Sequence, residues 1–174
     1  MKLGIDINSG ERPFQELLEG VLFSSKKYKD SLFYIIGNVE KIRESFPEID
    51  SFSNIRLVNS TDVIGMDESP LLAVRRKKNA SVCVGMKLLK DKEIDLFFSP
   101  GNTGATVVAA VLDLGLLAGL KKPAMATFLP RLDDIGETLI LDVGANPEAK
   151  EEYFDQNAQF GSAFYYGLSG KENV

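Results

Sequence analysis

The chain contains no histidine, which removes Ser-His-Asp triads, histidine-bearing metal sites and histidine general bases from the options. It contains one cysteine, Cys83, so no internal disulfide can form and a reducing, cytoplasmic setting is the expectation. Cys83 falls within an apolar helical pattern without a helix start or cation to activate it, and it reads as core packing rather than as a nucleophile. No uninterrupted apolar run reaches the roughly 18 residues of a membrane span. The nearest, residues 105–120, is broken by Asp113 and reads as a buried helix. The opening Met1-Lys2-Leu3-Gly4-Ile5-Asp6 lacks the apolar run and cleavage site of a secretory signal. Positive charge is also in deficit: 20 Lys and Arg against 25 Asp and Glu leave a net charge of −5. Nucleic acid is therefore not an expected partner, because phosphate backbones are held by clustered cations. The local exceptions are Arg75-Arg76-Lys77-Lys78 and Lys121-Lys122, each open to reading as a solvated run or as a patch that steers an acidic partner.

What the 174 residues do supply, with 44% of them apolar, is material for one ordinary hydrophobic core, so residues 1–174 are expected to form a single α/β domain. Residues 2–7 read as a strand. After Pro13, a good first-turn residue, Phe14, Leu17, Leu18, Val21 and Leu22 recur at helical spacing. Strands follow at 31–36 and 55–58, with an amphipathic segment at 39–46 between them. Ser69-Pro70 offers a cap and a first-turn proline for a helix running to Arg76. A helix at 81–89 then precedes a strand at 94–98. A long apolar helix over 103–118 is expected to stop at Gly119. Strands at 124–129 and 138–143, linked by a polar loop, should pair antiparallel, and a last helix occupies 151–166. This alternation predicts a three-layer α/β fold, a mostly parallel, mixed sheet with helices on both faces. Residues 169–174 are polar and resemble a domain edge.

Three segments could carry chemistry. The turn Ser99-Pro100-Gly101-Asn102-Thr103-Gly104 joins a strand to a helix, the place where parallel sheets bind ligands. Its glycines, the side chains of Ser99, Asn102 and Thr103, and the helix N-terminus together suit an anion such as phosphate. It is not a Walker loop, since the Gly-Lys-Ser/Thr ending is missing. The stretch Gly65-Met66-Asp67-Glu68-Ser69-Pro70 reads either as a capped helix start whose acids complement the dipole or as a substrate-facing loop. In Leu141-Asp142-Val143-Gly144-Ala145-Asn146, followed by Lys150, Asp142, Asn146 and Lys150 could converge on a ligand, or Asp142 could be tied to its own turn.

Taken in order and spacing, these three segments, with Val63-Ile64 before the second and Arg75-Arg76-Lys77-Lys78 after it, resemble the PlsX family of phosphate acyltransferases, the fatty acid and phospholipid synthesis proteins. The resemblance spans residues 1 to about 165. It implies a fold related to isocitrate dehydrogenase and phosphotransacetylase, and a cytoplasmic homodimer with peripheral contact at the membrane surface. It further implies transfer of an acyl group from acyl carrier protein to inorganic phosphate, and an acyl phosphate that feeds glycerol phosphate acylation. Family members are considerably longer, so part of the cleft, the dimer contacts and the membrane-facing helices would lie elsewhere. One departure stands out: the family opens with Asp-Ala-Met-Gly-Gly-Asp, whereas here the residues are Asp6-Ile7-Asn8-Ser9-Gly10-Glu11.

On this reading phosphate, already anionic, needs positioning more than deprotonation. Ser99, Gly101, Asn102, Thr103 and Gly104 would hold it, Asn102 counting among the catalytic groups with Asn146 and Lys150, and the last two would help neutralise phosphate or the tetrahedral oxyanion. Asp67, Glu68, Ser69 and Asp142 would orient substrate-side groups, and Arg75, Arg76, Lys77 and Lys78 would dock the acidic carrier protein. No metal and no cofactor is required. Two other readings compete: a phosphotransacetylase-like enzyme using acyl coenzyme A, and a non-catalytic fragment or degenerate paralogue that binds phosphate or a partner. A decarboxylating dehydrogenase ranks behind both, for want of a dinucleotide fingerprint.

Overall fold

A computed structural model describes residues 1–132, 137–144 and 151–169. The chain divides into two compact units, Met1–Gly115 and Leu116–Val174. The first unit is a parallel sheet of four strands, β1 (Lys2–Asp6), β2 (Leu32–Gly37), β3 (Ile55–Asn59) and β4 (Leu96–Phe98), in the order β3-β2-β1-β4. Parallel neighbours need crossovers. These are supplied by α1 (Phe14–Lys27) and α2 (Val39–Ser45) between β1 and β3, and by α3 (Pro70–Arg76) and α4 (Ser81–Lys90) between β3 and β4. The helix α5 (Thr103–Asp113) follows β4.

The strand residues alternate between two apolar layers, as a sheet covered on both faces requires. On one face Leu18, Val21 and Leu22 of α1 and Ile42 of α2 close over Phe33, Ile35 and Ile55. On the other, Val82, Cys83 and Met86 of α4 pack with Val74 of α3 and with Ala105 and Ala109 of α5, and Phe97 of β4 lies partly buried against them. The three-layer α/β expectation is therefore met in this unit. Cys83 lies in the first turn of α4, unlike the sequence expectation of no helix start beside it, but it is buried and loss of water pushes its thiol pKa up, in keeping with its reading as packing.

The boundaries differ from the sequence reading where local backbone needs prevail. Helix α5 ends at Asp113 rather than near Ala118 because Gly115 takes φ +80, a left-handed turn that closes a helix. Ser69 occupies the N-cap position of α3, but its side chain makes no capping hydrogen bond. A 3-10 turn at Ile49–Ser51 places Ile49 in the core with no helical periodicity to announce it.

In the second unit β5 (Ala126–Pro130) and β6 (Glu137–Leu141) pair antiparallel, as their short connection predicts. Among the described residues they make a two-stranded sheet of their own instead of an edge of the parallel one. Helix α6 (Glu151–Ser169) lays aromatic rings on this pair: Phe164 stacks on Phe128 at 6.3 Å and on Phe160 at 5.7 Å between ring centroids. No helix among the described residues is long and apolar enough to cross a membrane.

Ile35 lies in β2 with 0% of its surface exposed. Ile35→Ala should cost about 2–5 kcal/mol of stability, seen as a lower urea midpoint with an unchanged slope.

Candidate functional site

Because β1 to β4 run parallel, their carboxyl ends share one edge, and the loops leaving that edge are brought together. Strand order reverses direction at β1, with β2 on one side and β4 on the other, so the crevice outside β1 and β4 is the switch point where such sheets bind ligands. Three loops meet there: residues 7–13 after β1, 60–69 after β3 and 99–102 after β4.

Their attachment begins with Asp6, the last residue of β1 and fully buried. Its Oδ1 accepts hydrogen bonds from the backbone N–H groups of Asn8 at 2.9 Å and Ser9 at 3.1 Å, and its Oδ2 accepts one from the Ser99 hydroxyl at 2.7 Å. Ser9 and Ser81, both buried, bring their Oγ atoms to 3.0 Å of each other. The Asn8 amide donates to the Ser60 carbonyl at 3.2 Å, and the buried Ser60 hydroxyl donates to the Asn79 carbonyl at 2.8 Å. Four of the buried polar side chains, Asp6, Ser9, Ser60 and Ser81, thus form a layer across the strand ends. Each has a partner, as burial of a polar group demands.

The loop after β4 is held from a second direction by Asn102. Its Oδ1 accepts from the Ala105 N–H at 3.0 Å and caps α5. Its Nδ2 lies 3.2 to 3.3 Å from the carbonyl oxygens of Gly65, Met66 and Glu68, so one side chain joins the second and first sequence segments. Glu68 fastens that loop again: its Oε1 accepts from the Gly65 N–H at 2.7 Å and pairs with Lys77 Nζ at 2.6 Å. Lys77 also donates to the Val63 carbonyl at 2.7 Å. The hydrogen bond from Lys77, then that from Gly65, holds the Glu68 carboxyl below the usual glutamate range.

The glycines serve packing in this arrangement. A side chain on Gly101 would place its Cβ 2.6 Å from Ser9 Cβ, and one on Gly104 would sit 2.7 Å from Pro70 Cγ. The loop after β4 is keyed between the β1 turn and the start of α3. Donors are distributed accordingly. Ser99 gives its single hydroxyl hydrogen to Asp6 and accepts from the Gly101 N–H at 3.2 Å. Thr103 is exposed, and among the described residues neither its hydroxyl nor the backbone N–H groups of Thr103 and Gly104 have a partner. This helix start, with its partial positive charge, can receive an anion.

The remaining sequence candidates fall as follows. Asp67 and Ser69 are exposed beside the Asn102 tie. Arg75, Arg76 and Lys78 are exposed, whereas Lys77 is committed to Glu68 and Val63. Asp142 belongs to the second unit, just after β6 with φ 61, a left-handed conformation that Asp tolerates better than most residues. Its N–H donates to the Met125 carbonyl at 2.7 Å, and its carbonyl accepts from Gly144 at 2.8 Å. Asn146 and Lys150 lie outside the described residues. The sequence reading did not select Asp6, Ser9, Ser60 or Ser81. An acid on the inward face of a buried strand, followed by Asn-Ser-Gly, was the available signal.

A parallel α/β unit with a helix start at its switch point belongs to the class of folds in which anions can be received at that place. The comparisons narrow that class. The model of the family described as "Fatty acid synthesis protein" matches residues 1–174, and the chain belongs to this family. Its curated relatives include a protein called "Phosphate acyltransferase" from Desulfitobacterium hafniense (strain Y51), 38% identical over 99% of this chain and 51% of the relative. Another of that name from Brachyspira hyodysenteriae is 39% identical over 94% of this chain and 48% of the relative. A third, from Caldanaerobacter subterraneus subsp. tengcongensis, is 36% identical over 99% and 50%. The chain spans about half the length of the curated relatives it matches.

Two substitutions separate the jobs of Asn102. Asn102→Asp keeps the capping oxygen but turns a carboxylate oxygen toward three carbonyls, so it should destabilise the protein more than Asn102→Ala, whose lost cap costs about 1 kcal/mol. Melting curves of the two variants give the order. For Glu68, whose folded pKa is depressed, the stabilising contribution is present above the ordinary value of 4.5 and is lost as pH falls through the lower folded value. The melting-temperature gap between the natural chain and Glu68→Gln should accordingly be widest near neutral pH and close on acidification.

Proposed function

We propose that this chain takes part in phosphate acyltransfer, from the thioester of acyl carrier protein to inorganic phosphate, with acyl phosphate as product. The observation that carries the reading is the donor set at the start of α5 that has no partner among the described residues, Thr103 N–H, Thr103 hydroxyl and Gly104 N–H, in a chain of this family. Phosphate seated there presents an oxygen to the thioester carbonyl carbon. The C–O bond forms, the tetrahedral intermediate collapses with cleavage of the C–S bond, and the proton carried by hydrogen phosphate ends on the departing thiol. No histidine is needed, because the nucleophile is an anion at neutral pH.

Within the loop, Ser99, Gly101 and Asn102 act on phosphate by fixing the backbone that holds it. Asn146 and Lys150 are assigned to the developing oxyanion, and Asp142 to orienting a substrate-side group. Exposed Arg75, Arg76 and Lys78 suit docking of an acidic carrier protein. The same reading carries a homodimer in the cytoplasm with peripheral contact at the membrane surface.

Incubation with long-chain acyl carrier protein, phosphate and hydroxylamine should yield hydroxamate only when phosphate is present. Thr103→Val keeps the side chain's shape and removes its hydroxyl, and should raise the phosphate concentration needed about 10-fold or more. No phosphate-dependent product would refute the activity. An unchanged phosphate dependence in the variant would refute the loop as the phosphate seat.

A further inference from the structure

Asp6 is an odd neighbour for an anion site. Its carboxylate is fully buried and accepts from Ser99, two residues before Gly101 in the loop that leads to the donors of Thr103 and Gly104, which have no partner among the described residues. By Coulomb's law alone a buried negative charge beneath a phosphate seat weakens phosphate binding, and more so where water is excluded. Burial itself is costly for the carboxylate unless it is hydrogen-bonded. The geometry shows what offsets these two costs. The Ser99 hydroxyl, having given its hydrogen to Oδ2 at 2.7 Å, can only accept, and it accepts from the Gly101 N–H at 3.2 Å. That bond folds the loop one residue before the Asn102 cap of α5. On its other oxygen the carboxylate gathers the Asn8 and Ser9 N–H groups, setting the turn that presents Ser9 to Gly101. A neutral side chain of the same shape would not impose this direction of donation on Ser99.

We propose that Asp6 is a positioning residue for the phosphate loop: through the Ser99 hydroxyl it aligns Gly101 and hence the start of α5, without touching the ligand. The proposal rests on the phosphate reading above, and the test keeps the two apart. Asp6→Asn is isosteric but offers an amide where Oδ2 accepted, so it removes the charge and reverses the Ser99 bond. Ser99→Ala removes the hydroxyl while leaving the acid in place. Affinity for inorganic phosphate is measured by phosphorus-31 titration on the full chain, the fold being checked by circular dichroism, and exchange of the Gly101 amide is measured without phosphate.

The expected result is phosphate affinity reduced about 10-fold in Asp6→Asn, a similar loss in Ser99→Ala, no further loss in the double variant, and faster Gly101 exchange in all three. Tighter phosphate binding by Asp6→Asn, the outcome of simple charge removal, overturns the proposal, as does unchanged Gly101 exchange in a folded variant. If Asp6→Asn does not fold, Ser99→Ala decides alone by the same two readouts. A natural chain that binds no phosphate refutes the phosphate reading; Gly101 exchange then determines whether Asp6 aligns the loop.

Discussion

A carboxylate placed where no water reaches it must collect hydrogen-bond donors from the protein, and in this chain the donors that satisfy Asp6 come from two different strand ends. That requirement organises the rest of the edge. Once the turn after β1 and the loop after β4 share one acceptor, Ser9 lies against Gly101, Ser9 meets Ser81 at the start of α4, and α5 begins at a defined point. A polar layer made in this way adds little net stability per bond, about 0.5–1.5 kcal/mol each. Leaving any member unpaired would cost more than that, so the layer specifies one arrangement of loops more than it strengthens the fold.

The division of labour between side chains follows from hydrogen counting. Ser99 and Asn102 look like ligand donors when read by residue type, yet their hydrogens are taken up by Asp6 and by the carbonyls of the loop after β3. Among the described residues, what the loop leaves without a partner is the N–H groups of Thr103 and Gly104 and the Thr103 hydroxyl. Donors held in place by the fold lose nothing to reorganisation when charge develops beside them. The loop of residues 65–68 is tied to the same turn by Asn102 and closed on its other side by Glu68 and Lys77. A change in either loop is therefore felt by the other. That coupling holds the two loops in one frame.

Much of this architecture was legible in the residues. Apolar spacing after Pro13, the alternation of strand and helix and the antiparallel closing pair all followed from periodicity and turn chemistry, because those signals are local. The three segments that carry the family likeness were visible for the same reason, and the exposed run at Arg75, Arg76 and Lys78 could be read directly from charge. The extent of α5 was misread because two glycines, Gly115 and Gly119, can both end a helix, and the chain takes its left-handed turn already at the first. Lys77 could not be told apart from its basic neighbours until the fold turned it toward Glu68.

By itself the sequence determined the alternating α/β pattern, the lack of histidine and of a cysteine pair within these residues, and the three segments from which a phosphate site could be built. Only the tertiary structure decided which of those residues spend their donors on holding the loops together. The reason is physical: Asp6 and Ser99 are 93 positions apart, and no local rule can say which oxygen a hydroxyl hydrogen will meet when the sheet brings two strand ends together.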